Sequence, residues 1–63
     1  MNREAFLDYL RGRIAGDRDA LRQMENGELK TSTNGNDDTD RSIKALRRDI
    51  PTMEALRDWI LNQ

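Results

Sequence analysis

Between residues 3 and 26 the apolar side chains fall at Leu7, Leu10, Ile14, Leu21 and Met24, intervals that collect them on one stripe of a helix. Asn2 stands before the stripe as an N-cap, and Glu4 lies in the first turn, where negative charge suits the helix N-terminus. Asn26-Gly27 supplies the stop, because glycine accepts the left-handed conformation that closes a helix. Asp17 fills a place where the stripe wants an apolar residue, with Gly16 beside it, so a bend or local break is expected there. A second stripe, Ile43, Leu46, Ile50, Met53, Leu56 and Ile60, predicts a helix over 39 to 62, with Asp38 or Thr39 as N-cap and Asp40 in the first turn. Pro51 interrupts this segment by removing a backbone donor. The stripe resumes in register beyond it, which predicts a kink and not a stop.

The connection, 27 to 38, has a single large apolar side chain, Leu29, followed by Thr31-Ser32-Thr33. Asn34-Gly35 is the preferred pair for a two-residue type I′ turn, which would set 30 to 33 against 36 to 39 in a short β-hairpin arm. A lone two-stranded hairpin is marginal in water. Two outcomes follow for this stretch, a mobile loop or a tiny arm that docks on a partner. The fold class is all-α: an antiparallel two-helix hairpin, with or without the β-arm, forming one domain over the whole chain and assembled as a homo-oligomeric helical bundle.

Size is the reason for the oligomer. A 63-residue chain buries only about 60% of the surface its unfolded form exposes. Small chains make up the deficit with disulfides, metals or association. The chain has neither Cys nor His, which leaves association. Two facing helices still leave Phe6, Tyr9, Trp59 and Leu61 half exposed, and a twofold dimer forming a four-helix bundle would cover them. The residues assigned to the subunit contact are Phe6, Leu10, Ile14, Met53, Leu56, Trp59 and Ile60. Gly12 and Gly16 share a face with Ala20. These small residues either let a second helix pack closely, the favoured alternative, or open the backbone to a flat ligand.

Charge refines this picture. Charged residues make up 37% of the chain against 35% hydrophobic, yet the net charge is −1, unlike the strongly unbalanced composition of a disordered segment. A near-neutral chain also argues against a dedicated nucleic-acid binder. No apolar run approaches a membrane span, and Met1-Asn2-Arg3-Glu4 lacks the apolar core of a signal peptide, so a soluble cytosolic protein is expected.

Catalysis has little to work with. Ser32 and Ser42 have no base in motif spacing, and paired carboxylates on two short helices cannot be shut away from water. Neither a cofactor nor a metal is expected. The acidic run from Asn34 to Asp40 fails the calcium-loop pattern: counted from Asn36, the sixth place is not Gly and the twelfth is Arg47, where a bidentate Glu is required.

Arg41, Lys44, Arg47 and Arg48 form one basic cluster, and Arg11, Arg18 and Arg22 a looser one. Their ordinary role is a solvated face with intrahelical pairs such as Asp37 to Arg41 and Asp40 to Lys44. The sharper alternative is an anion site. Arginines of several subunits, Arg18, Arg22, Arg47 and Arg48, would converge on phosphates with Tyr9 or Trp59 as a stacking surface.

Two stretches carry a family resemblance. A helix ending in Leu21-Arg22-Gln23-Met24-Glu25-Asn26-Gly27 leads through a polar strand and an Asn-Gly turn to a helix containing Ile43-Lys44-Ala45-Leu46-Arg47-Arg48-Asp49-Ile50. Over about residues 17 to 56 this layout resembles the head-to-tail joining protein W family of lambda-like phages. The resemblance implies two antiparallel helices with a short β-hairpin between them, and a non-enzymatic connector component assembled in a ring. It lies in layout, and the chain departs in its weakly apolar arm, in Pro51 and in having no basic C-terminal tail, so no functional residue is carried over. A second class of phage helical hairpins, which oligomerise and sequester a nucleotide immune signal or block a defence complex, is similar in architecture alone. The expected function is therefore a small phage-type interaction protein. Inhibiting or sequestering a component of host defence, by protein contact or by binding an anionic nucleotide, stands ahead of virion joining and of plain oligomerisation.

Overall fold

The computed structural model describes residues 2 to 63; Met1 lies outside the described residues. Two 23-residue helices, α1 (Arg3–Glu25) and α2 (Thr39–Leu61), pack against each other and are joined through β1 (Ser32–Thr33) and β2 (Asn36–Asp37). The strands pair antiparallel, Ser32 with Asp37 and Thr33 with Asn36. The molecule is a rod of 43 × 19 × 17 Å.

Helix α1 starts and stops where its residue types place it, and the break expected at Gly16-Asp17 does not occur in this continuous helix. Asn2 Oδ1 accepts a hydrogen bond from the Ala5 N–H at 2.8 Å, satisfying one donor of the first turn. At the other end Gly27 takes φ +77°, the Glu28 N–H donates to the Gln23 carbonyl at 2.8 Å and the Gly27 N–H to Met24 at 3.2 Å. That pattern of two back-turned donors is a Schellman closure. Helix α2 runs uninterrupted through Pro51, so the proline does not divide it. The ring nevertheless removes one donor, leaving the Arg47 carbonyl without its partner four residues on.

The arm forms a two-stranded hairpin, shorter than the predicted pairing of 30 to 33 with 36 to 39. Asn34 (φ 52°) and Gly35 (φ 83°) both take positive φ, the geometry of a type I′ turn. What holds so small a hairpin is a knot of hydroxyls and carboxylates at its base. The Thr31 and Thr33 hydroxyls donate to the two oxygens of Asp38 at 2.6 and 2.5 Å. The Ser42 hydroxyl lies 2.8 Å from that of Thr31, and the Asp38 N–H donates to the Thr31 carbonyl at 3.0 Å. Asp38 therefore occupies the N-cap position of α2 with its side chain turned back to the arm. Asp37 does the capping instead, accepting from the Thr39 N–H at 2.9 Å and the Thr39 hydroxyl at 2.6 Å. The expected Asp37 to Arg41 and Asp40 to Lys44 pairs are not among the ion pairs of the described residues, and Asp37 is engaged at the cap.

The core is thin. Its buried hydrophobics are Leu7, Leu10 and Ile14 from α1 and Ile50 and Ile60 from α2, with Phe6 packed against the Leu7–Leu10–Ile60 end. Arg3 adds a clasp at that end by donating to the Ile60 carbonyl at 3.1 Å, which also accepts from the Gln63 N–H at 3.2 Å. Gly12 and Gly16 do not meet α2: a Cβ on either would find nothing within 4 Å. The close packing expected of them is absent from the hairpin itself, because they lie on the outward side of α1. Among the described residues no helix is long and apolar enough to cross a membrane.

Candidate interaction surface

Each helix presents its core stripe inward, which leaves two edges along the groove between them. Both helices are right-handed and run in opposite directions. Positions displaced from the core stripe in the same rotational sense therefore lie over the same edge. Arg18 and Glu25 on α1, with Arg47 and Glu54 on α2, are displaced one way. Phe6 and Tyr9, with Leu56 and Trp59, are displaced the other way.

The first edge is closed by charge. Arg18 pairs with Glu54 and Arg47 with Glu25, each across the two helices. Seven steps forward along α1, from 18 to 25, match seven steps back along α2, from 54 to 47, so both bridges report one antiparallel register. They stand about 10 Å apart along the rod at about 1.5 Å per residue. Arg22 pairs with Asp19 within α1, and Arg48 with its neighbour Asp49. The Arg22 guanidinium holds the Asp19 carboxyl below the usual aspartate range, and Asp49 raises Arg48.

All four arginines assigned to an anion site are thus matched with carboxylates of their own chain. Among the described residues, two open clefts lie beside the arm. One, of about 430 Å³, is lined by Asp37, Asp38, Thr39, Asp40 and Arg41. The other, of about 540 Å³, is lined by Met24, Glu25, Asp40, Ile43, Lys44 and Arg47. Only Arg47 of the six assigned residues reaches either cleft, and it shares that cleft with its partner Glu25. Tyr9 and Trp59 lie at the far end of the rod, near the helix N-terminus of α1 and the C-terminus of α2. Among the described residues no group of three or more Asp or Glu side chains is placed to hold a metal ion.

The second edge is apolar and open. Tyr9 is 53% exposed and Trp59 62%, and Leu56 is also exposed, while Phe6 and Met53 are half-buried. The Phe6 and Tyr9 rings stack at 6.3 Å between centroids, 17° from parallel, one turn apart on α1. Three of the seven residues assigned to the subunit contact, Leu10, Ile14 and Ile60, are consumed by the hairpin's own core and are not on this surface. The other four, Phe6, Met53, Leu56 and Trp59, lie on or beside it, with Tyr9 added. Leu61 is exposed too, displaced toward the charged edge.

Glu25 and Glu54 were not singled out by the sequence, which offered Asp38 only as an N-cap of α2. Glu25 and Glu54 become meaningful only once the register between the helices is known, and Asp38 only once the arm has formed. Searches of protein-family models, curated proteins and solved structures find no match to this chain.

Proposed function

We propose that this chain is a non-enzymatic interaction protein of the small phage type, which works as a homo-oligomer in the host cytosol and inhibits a component of host defence by direct protein contact. The observation that carries this reading is the exposed apolar edge, with Tyr9 and Trp59 more than half exposed on a rod that has five buried hydrophobic side chains. Aromatic side chains in such positions dominate contact energies in protein interfaces. The arginine placement favours contact over capture of an anionic nucleotide. A phosphate would compete with Glu54, Glu25, Asp19 and Asp49 for four separate guanidinium groups.

The test is a plating assay on a host carrying an active defence system. Expression of the protein restores plaque formation, Tyr9→Ser with Trp59→Ser abolishes the effect, and Arg47→Ala with Arg48→Ala retains it. Failure of the arginine variant together with nucleotide-dependent thermal stabilisation of the wild type returns the reading to sequestration. No restoration in any defended host removes it.

One feature favours a virion-joining role as a second reading. The arm in the connection between the helices is tied by the Thr31–Asp38–Thr33 hydrogen bonds, and a short hairpin between two helices is the layout of the joining family that the sequence resembles. Co-sedimentation with capsids or connectors, and no effect on defence, would select it.

A further inference from the structure

We infer that the apolar edge formed by Phe6, Tyr9, Met53, Leu56 and Trp59 is the contact between two copies of this chain, so that the Arg18–Glu54 and Arg47–Glu25 edge faces outward in the assembly. This deepens the oligomer reading above and rests on it: the edge belongs to the second copy, the host component meets the assembled dimer, and Tyr9→Ser with Trp59→Ser abolishes inhibition by dissolving that dimer. Three observations choose a second copy as the occupant.

The first is area. The chain exposes 4757 Å², whereas a compact monomer of its 7.3 kDa mass exposes about 4,200 Å². The excess of about 600 Å² belongs to the elongated 43 × 19 × 17 Å rod as a whole, and pairing two rods along one edge reduces it.

The second is charge. The ionic groups beside the edge are already matched within the chain. Arg13 pairs with Asp17 at 3.2 Å, and Arg48 with Asp49 at 2.9 Å. With a net charge of −1, two copies meet without appreciable repulsion. A strongly charged partner finds no complementary field on this edge.

The third is position. Phe6 both packs on the buried Leu7–Leu10–Ile60 cluster and stacks on exposed Tyr9. A twofold contact here joins two thin cores into one, each copy offering the same patch to the other. The outward Arg18–Glu54 and Arg47–Glu25 bridges then lie on opposite sides of the dimer, so a phosphate pocket that needs Arg18 and Arg47 of both copies does not form at the contact.

Trp59 is the only tryptophan, so its emission reports this edge alone. Sedimentation equilibrium and Trp59 fluorescence are followed together over a concentration series. In the wild type the average mass rises with concentration and Trp59 emission shifts to the blue in parallel. Leu56→Ser and Tyr9→Ser, which keep Trp59 as the probe, each weaken association at least about thirtyfold, the scale of an interface hot spot. Far-UV circular dichroism confirms their helices. Arg22→Ala, on the other edge, leaves association unchanged. Association with an unmoved Trp59 emission and indifferent Leu56 and Tyr9 variants overturns the choice of edge while leaving the oligomer standing. A wild type that stays monomeric overturns both, and leaves the edge to a different protein.

Discussion

Truncating Leu10 to Ala tests the core at its best-defended point. Leu10 is 4% exposed and packs with Leu7 and Ile60 under Phe6. Removing its three outer carbons loses their transfer energy and leaves a hole that two rigid helices close only in part. Substitutions of this kind cost about 2–5 kcal/mol. A chain of 63 residues has a folding free energy of about 3–9 kcal/mol, at about 0.05–0.15 kcal/mol per residue. Leu10→Ala therefore removes much or all of the stability. Thermal melts followed by far-UV circular dichroism show it as a fall in Tm of at least about 10 °C, since about 1 kcal/mol moves a domain of this size by about 4–8 °C. If the chain associates as proposed, association favours the folded form and the variant's Tm also climbs as protein concentration is raised. Leu61→Ala, at an exposed position, is the control and costs about 0.5 kcal/mol or less. Equal, small losses for both variants would refute the placement of the core.

Three further outcomes follow from the same geometry. Pro51 is exposed inside α2, and a proline in a helix interior costs about 3 kcal/mol relative to Ala; Pro51→Ala raises the Tm, and a lowered Tm would mean that the ring makes a contact the hairpin needs. A double-mutant cycle on Arg18 and Glu54 returns a coupling of about 0.2–1 kcal/mol, the range of exposed pairs, that shrinks in high salt; a coupling above about 2 kcal/mol would place the pair in a desolvated setting. The arm answers to acid: Asp37 is held below the ordinary aspartate range by the Thr39 hydroxyl and N–H, and Asp38 by the hydroxyls of Thr31 and Thr33. A lowered folded-state pKa stabilises above the unfolded value of about 3.9 and is lost as pH falls through the folded value. The Thr31 and Thr33 resonances accordingly move below about pH 4, and arm amides unchanged at about pH 3 would contradict the knot.

The helices were legible because both carry their own signals: Asn2 at one end of α1, Asn26-Gly27 at the other, and two apolar stripes of helical period. The Asn34-Gly35 turn was legible for the same reason, since its type is dictated by two residues. What the sequence hid depended on contacts between segments. Asp38 had two competing uses, capping α2 or tying the arm, and the hydroxyls of Thr31 and Thr33 decided it. Leu10, Ile14 and Ile60 looked equally suited to a subunit contact and to the hairpin core, because periodicity does not say which neighbour covers a stripe. The arginine cluster looked available for phosphate because Glu54 and Glu25 lie 36 and 22 residues from the arginines they meet. Gly12 and Gly16 looked like a helix-packing face, and in the hairpin that face is open.

The most direct measurement is the solution mass of the wild-type chain by multi-angle light scattering, taken with its helical circular dichroism across a wide concentration range. A helical species of at least twice 7.3 kDa, shedding helix as it dissociates on dilution, is the predicted result. A fully helical species that stays at the single-chain mass at every concentration would contradict it, since the thin core would then suffice alone.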